Sequence, residues 1–167
     1  LRLDNPTAKE LKEMCEGIEQ LSGNSNFHAM RDYFLHGGGN GNYADISTRA
    51  VFVPGEAKTM EDAVQRVHQN DRLTTIVLGA GIHKITDDWL MLRSAVAIVG
   101  DPDVPRENIV VVGDIKIVTG IEATTILRHL TISGSKKCGV VGYSSFDVCD
   151  VVVENSNGHG IVGSGPS

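Results

Sequence analysis

The chain has 167 residues and a formal net charge of −6, with 41% hydrophobic but only 5% aromatic residues. This size and hydrophobic content suit one packed domain with an appendage, and the many Val, Ile and Gly residues favour short strands over a helical bundle. The longest basic run is Lys136-Lys137, so we expect no nucleic-acid partner, and no apolar run is long enough to predict a membrane span.

Residues 1–35 are predicted to form a short helical segment, because apolar residues recur at helical spacing between Leu11 and Leu21. The sequence HGGGNGNY follows from His36. A His before glycines builds the oxyanion hole of some esterases, but the Gly-x-Ser-x-Gly nucleophile motif of those enzymes does not occur in the chain. We therefore interpret residues 36–50 as a Gly-rich linker.

A second helix is predicted at residues 59–69, with Thr59 as its N-cap and Asp62 three residues later, as in a capping box. Its apolar stripe consists of Met60, Ala63, Val64 and Val67. Short apolar runs separated by glycines or polar corners follow this helix.

The sequence Val-Gly-Asp occurs at 99–101 and again at 112–114. Aspartate at a strand end can accept hydrogen bonds from nearby backbone N–H groups. We interpret both aspartates as structural.

The last part of the chain contains an internal repeat with an offset of 21 residues. The segment 133–142 (SGSKKCGVVG) aligns with 154–163 (ENSNGHGIVG), and 126–132 aligns with 147–153. A period near twenty with several short strands per repeat is typical of a solenoid. We therefore predict that residues 51–167 form an all-β solenoid, a right-handed parallel β-helix of about four coils with an N-terminal capping helix.

Two segments carry a resemblance to a known family: TMEDAVQRVHQNDRLTTIVLGAGIHKI and AIVGDPDVPRENIVVVGD. They resemble the opening of right-handed parallel β-helix proteins of the pectate-lyase-like superfamily. The chain is most similar to uncharacterised intracellular β-helix proteins that look like the β-helix part of F-box proteins. The resemblance covers roughly residues 51–163 and implies the fold, whereas one fold hosts lyases, hydrolases, esterases and binding scaffolds.

The alternation of the apolar runs predicts which side chains point into the core. The expected inward residues are Val99, Val111, Ile117, Ile132, Val140, Val153 and Ile161. Because the open end of a solenoid exposes unpaired strand edges, we expect either a longer native chain or end-to-end self-association at the C-terminal coil.

The sequence NGHGIVGSG resembles the Gly-His-Gly element of polygalacturonase-type hydrolases. Such enzymes need two carboxyl groups beside the sugar bond, but no Asn-x-Asp lies on the preceding coils, and no Arg or Lys follows His159. The repeat aligns His159 with Cys138, so we expect a corner residue without a carboxylate partner.

The repeat also places candidate ligand-binding residues on one outward patch. His129 and Asp150 share one position on adjacent coils, and Arg128 overlies Cys149. A calcium site would need six to eight oxygen ligands, and a zinc site from Cys149, His129 and Asp150 lacks paired-ligand spacing. We therefore predict no metal and no cofactor.

The favoured function is a non-catalytic recognition scaffold that binds a protein or a polysaccharide along the flank of the solenoid. The alternative is a carbohydrate-active enzyme, polygalacturonase-like or pectate-lyase-like, with part of its site in missing coils. Its candidate catalytic residues are His159, Asp150, Asp147 and Arg128. The three cysteines lack CxxC spacing and no signal peptide is visible, which favours reduced thiols and an intracellular, cytoplasmic location.

Overall fold

The structure, a computed structural model, describes residues 49–164. The predicted helical segment 1–35 and almost all of the predicted linker 36–50 lie outside the described residues. Within that range one helix, α1, spans Met60–Gln69. The strands are β1 Ala50–Val53, β2 Thr75–Leu78, β3 Gly81–Lys84, β4 Leu90–Leu92, β5 Ala97–Gly100, β6 Ile109–Val112, β7 Ile115–Ile117, β8 Thr125–Ser133, β9 Val140–Gly142, β10 Phe146–Glu154 and β11 Ile161–Gly163.

The strands form two parallel sheets. The seven-stranded sheet has the order β1-β2-β5-β8-β6-β3, with β10 added on β8, and the four-stranded sheet has the order β11-β9-β7-β4. The first half of β8 pairs with β5 and its second half pairs with β6. The larger sheet is therefore a curved half-barrel that continues through β8.

The predicted all-β solenoid, a right-handed parallel β-helix, is wrong as a description of this fold. Nine of the eleven described strands have only three or four residues, and they are scattered over a half-barrel and a small second sheet. The spacing between paired residues is also irregular: Ala97 pairs with Ile126, 29 positions later, whereas Ile126 pairs with Asp147 after 21. The 21-residue repeat describes the pairs β8–β10 and β9–β11 but not the β5–β8 pair before them.

The offset of 21 residues is confirmed where it was read from the sequence. Leu127 pairs with Val148 and Leu130 pairs with Val151 in the larger sheet. In the smaller sheet, Val140 pairs with Ile161. The sequence therefore predicted the register of these two strand pairs correctly.

Helix α1 is confirmed together with its cap. The hydroxyl oxygen of Thr59 accepts a hydrogen bond of 3.2 Å from the backbone N–H of Asp62, which satisfies one of the free donors at the helix start. The buried side chains of α1 are the four of the predicted stripe, Met60, Ala63, Val64 and Val67. No helix within residues 49–164 is long and apolar enough to cross a membrane.

Four of the seven predicted core residues, Val111, Ile117, Ile132 and Val140, are fully buried, and Val153 is partly buried against them. The prediction is wrong for Val99 and Ile161. In β5 the phase is shifted by one residue, so Ile98 fills the core instead of Val99. Ile161 is 43% exposed, because β11 is the last strand of the smaller sheet among the described residues.

Candidate functional site

The predicted residues His129 and Asp150 lie at the bends of the two long strands. Their φ angles are +53° and +52°, a left-handed conformation that is unfavourable for residues with a Cβ atom. In a regular strand every second side chain points inward, but the bend in β8 adds one residue to this spacing. Leu127 before the bend and Leu130 after it are therefore both buried. The same phase shift occurs in β10, and the two bends bring the imidazole and the carboxylate together.

Both ring nitrogens of His129 and both carboxylate oxygens of Asp150 are hydrogen-bonded. His129 Nδ1 lies 2.5 Å from Asp150 Oδ2, and His129 Nε2 lies 2.8 Å from the carbonyl oxygen of Val104. The Val104 carbonyl and an ionised Asp150 both accept, so the imidazole donates both bonds only in its doubly protonated form. The guanidinium of Arg106 donates to the other carboxylate oxygen of Asp150. The three side chains thus fasten the loop before β6 to the bends of β8 and β10.

The pKa of the Asp150 carboxyl lies below its ordinary value. The largest cause is the hydrogen bond from His129; partial burial opposes it, and the hydrogen bond and charge of Arg106 add to it. A carboxyl group with a lowered pKa in the folded state stabilises that state above its unfolded-state pKa. This contribution disappears as the pH falls through the folded-state pKa.

We expect Asp150→Asn to unfold more easily than the unchanged protein near pH 6, with the difference shrinking below about pH 4 as Asp150 becomes protonated. The measurement is denaturant unfolding at intervals between pH 6 and pH 2. Asp147→Asn is the control, because Asp147 is exposed on the same strand and its side chain takes part in no hydrogen bond or ion pair among the described residues. A difference between Asp150→Asn and the unchanged protein that stays constant across this range would contradict the assignment.

The other candidate residues are not brought together. Arg128 lies between Val99 and Cys149 on neighbouring strands, and its Nε atom is buried without a hydrogen-bond partner among residues 49–164. Asp147 pairs along the backbone with Ile126 and is exposed. The structure therefore assembles His129 with Asp150, but it does not add Arg128 or Asp147 to their hydrogen-bond network.

His159 lies outside this network. It is exposed in the turn before β11, where its carbonyl oxygen accepts hydrogen bonds from Gly139 and from the hydroxyl of Ser156. Its imidazole makes no hydrogen bond or ion pair with a carboxylate in the part of the chain that the structure describes. This place in the turn before β11 agrees with the predicted corner position.

Sequence reasoning missed Arg106, which completes the Asp150 network. The residue belongs to a 3-10 turn, Arg106–Asn108, directly after Pro105. The signal was the long corner with two prolines, since it interrupts the strand pattern between β5 and β6. Arg106 is the only cation in this corner, between Gly100 and Ile109.

A second group of side chains lies beside the four-stranded sheet. The ammonium group of Lys116 is 5.8 Å from the ring centroid of Trp89 and 5.5 Å from that of Tyr143. The ammonium of Lys137 is 5.3 Å from the Trp89 ring. These distances are within the range of cation–π attraction. We call these four residues the lysine–aromatic platform.

Strand geometry explains the position of Lys116. It stands between Ile115 and Ile117, which are both fully buried, so its own side chain points to the opposite face of β7. Trp89 directly precedes β4 and Tyr143 directly follows β9, on the two strands that flank β7. The apolar-Lys-apolar pattern of β7 was the available sequence signal for an outward lysine.

A groove adjoins the platform at Tyr143, with a volume of about 560 Å³. Five side chains of its lining carry hydroxyl groups: Thr119, Tyr143, Ser144, Ser145 and Ser164. Phe146 and Ile121 add apolar surface, and Gly142 and Gly163 keep the strand ends free of side chains. The groove thus combines one amphipathic ring with several neutral hydrogen-bonding groups.

No family model, curated protein or solved structure matches the chain.

Among residues 49–164, no group of three or more His, Cys, Asp or Glu side chains is arranged to hold a metal ion. Cys138 and Cys149 are free thiols.

Proposed function

We propose that the chain is a non-catalytic recognition module that binds a glycan in the groove beside Tyr143. The observation that carries the proposal is the lining of this groove, with five hydroxyl-bearing side chains and an aromatic ring that is 43% exposed. Sugars present hydroxyl groups at their edges and C–H groups on their faces. A site of neutral donors and acceptors around an amphipathic ring offers partners for both.

A glycan is a better match than a protein surface for this groove. Protein interfaces rest on a central anchor residue surrounded by a broad rim, whereas the groove is a concave space of about 560 Å³, which is the size of a small-molecule site. Two hydroxyl groups of the groove already bond within the protein. Ser144 donates to the Val118 carbonyl, and the Ser145 hydroxyl is hydrogen-bonded to that of Thr124.

The proposal includes no catalysis because the carboxylate of the His129–Asp150 pair is already occupied by hydrogen bonds. A glycoside hydrolase needs one carboxyl group as acid and a second as base or nucleophile. Both oxygens of Asp150 are already hydrogen-bonded, to His129 and Arg106, and His159 has no carboxylate partner among the described residues. The alternative of a carbohydrate-active enzyme therefore gains no support from the described residues.

The proposal includes an intracellular, cytoplasmic location, for which the thiols are the support. Cys138 is partly exposed and Cys149 is exposed, and both are free. Thiols persist in reducing compartments, whereas they are oxidised in secreted proteins.

The test uses the chain's single tryptophan, Trp89, as a reporter, because Lys116 lies between its ring and that of Tyr143. Neutral hexasaccharides of glucose, galactose, mannose and xylose are titrated against the full chain while Trp89 fluorescence is followed. We expect saturable binding of at least one of them. Tyr143→Ala should weaken that binding about tenfold through lost stacking.

Two variants sharpen the test. Tyr143→Phe keeps the ring and should retain most of the affinity, and Ile82→Ala removes an exposed side chain from β3 in the other sheet and should change nothing. If none of the hexasaccharides binds, or if Tyr143→Ala binds as well as the unchanged protein, the glycan proposal fails. Binding of a protein that Tyr143→Ala abolishes would favour the other kind of partner.

A further inference from the structure

The lysine–aromatic platform holds two cations and shares Tyr143 with the lining of the proposed sugar groove. Lys116 is half-buried, and its ammonium lies between the rings of Trp89 and Tyr143. Lys137 is exposed, and its ammonium lies against the same Trp89 ring. A lysine side chain in water moves among many rotamers, so two lysines held against rings have lost part of that freedom before any ligand arrives.

Neither ammonium forms an ion pair with a carboxylate among the described residues. Within residues 49–164, the ion pairs involve Arg66 with Asp62 and Asp150 with Arg106 and His129, and none includes Lys116 or Lys137. An aromatic ring attracts a cation but leaves its charge uncompensated. Two uncompensated cations on a platform that shares Tyr143 with the groove are therefore suited to an anionic group on the ligand.

We propose that the platform is a subsite for a single oxyanion on the bound glycan, such as a sulfate ester or a uronate carboxylate. The inference rests on the proposed function, since Tyr143 belongs both to the platform and to the groove. A sugar held at Tyr143 carries its anionic substituent to Lys116 and Lys137. The two cations then act together on one group, where each hydrogen bond is assisted by charge.

The residues around the platform favour a ligand that carries few negative charges. Asp87 and Asp88 directly precede Trp89 and are both exposed. A uniformly charged polyanion would extend beyond the lysines towards these carboxylates, and like charges brought together oppose binding. The chain's net charge of −6 acts in the same direction. A glycan with one anionic group among neutral sugars avoids both penalties.

The experiment compares the neutral hexasaccharide that binds best with the same hexasaccharide carrying one sulfate ester, one carboxylate or sulfate on every residue. We expect either singly charged form to bind about tenfold more tightly than the neutral parent. The fully sulfated form should gain no further affinity. Lys116→Met, which keeps the half-buried aliphatic stem, and Lys137→Ala should each remove most of the advantage.

Lys136→Ala is the matched control, because Lys136 is an exposed neighbour of Lys137 that makes no ring contact among the described residues. It changes the net charge by the same amount and should keep the preference for the singly charged form.

Equal binding of neutral and singly charged forms would overturn the subsite while leaving the glycan proposal intact. So would affinity that rises with every added sulfate, or a loss in Lys136→Ala as large as in Lys137→Ala. Charged probes that bind independently of Tyr143 would instead contradict the groove, and if no probe binds, both proposals fail together.

Discussion

Asp114→Ala is expected to lower the free energy of unfolding by about 3–5 kcal/mol, among the larger effects of a single substitution. Asp114 is only 2% exposed. Its Oδ1 accepts hydrogen bonds from the backbone N–H groups of Lys137 (2.9 Å) and Cys138 (2.8 Å), and its Oδ2 accepts one from Lys136 (3.0 Å). Alanine would leave three part-buried donors without this acceptor, and a hydrogen bond to a charged group contributes about 1.5–3 kcal/mol. Denaturant unfolding at pH 7 measures the loss.

Asp101→Ala is the control, because Asp101 has the same Val-Gly-Asp context. Among the described residues, its Oδ1 accepts only the N–H of Asp103, two residues later, at 3.0 Å, and we expect a loss of about 1 kcal/mol or less. Asp114→Asn should fall in between, since an amide keeps one acceptor oxygen. If Asp114→Ala and Asp101→Ala cost the same, the three hydrogen bonds do not have the assigned importance.

The Asp114 bonds also connect stability to the proposed site. They hold the turn that contains Lys137, whose ammonium lies over Trp89. Asp114→Asn is therefore expected to weaken the preference for a singly charged glycan even under conditions in which the protein stays folded. The same carboxylate thus stabilises a turn and positions a cation.

The two Val-Gly-Asp segments show how far sequence reasoning reaches. Both aspartates were predicted to be structural, and both accept backbone hydrogen bonds. The sequence did not show that Asp114 is buried and bonds a turn more than 20 residues later, while Asp101 makes a local bond. Local turn chemistry can be read from neighbouring residues, but a long-range acceptor depends on which strands are adjacent.

Strand adjacency was predictable only where the repeat was regular. The register of β10 on β8 followed from an alignment at 21 residues and is correct. Earlier in the chain, the loop between Gly100 and Ile109 lengthens the connection, and the core phase of β5 was misplaced by one residue at Val99. Because one residue of slip moves a side chain to the opposite face, small errors in spacing changed the predicted surface.

The candidate sites also differ in whether their residues lie within the regular repeat. The pairing of His129 with Asp150 was predicted, because both residues stand within the regular repeat. Lys116, Trp89 and Tyr143 were missed, since each lies on or next to a different strand and they meet only across the smaller sheet. The resemblance to the pectate-lyase-like superfamily stays a prediction, and it did not mark these residues.

Ile132→Ala is expected to lower the free energy of unfolding by about 2–5 kcal/mol. The side chain is fully buried and lies between Val111 of β6 and Val153 of β10 in adjacent strands. Removing it deletes apolar contacts and leaves a cavity that strands fixed by hydrogen bonds on both sides cannot collapse to fill. Denaturant unfolding with an unchanged m-value would show that the folded and unfolded states keep their compactness.

Ile82→Ala is the matched control for this change, because it removes the same atoms from a side chain that is 67% exposed on β3. We expect a loss below about 0.5 kcal/mol, as for other surface substitutions. A loss that small for Ile132→Ala would place Ile132 on the surface and contradict the register of β8 against β6. Since the same β8 strand carries His129 at its bend, such a result would also remove the structural basis for the His129–Asp150 pair.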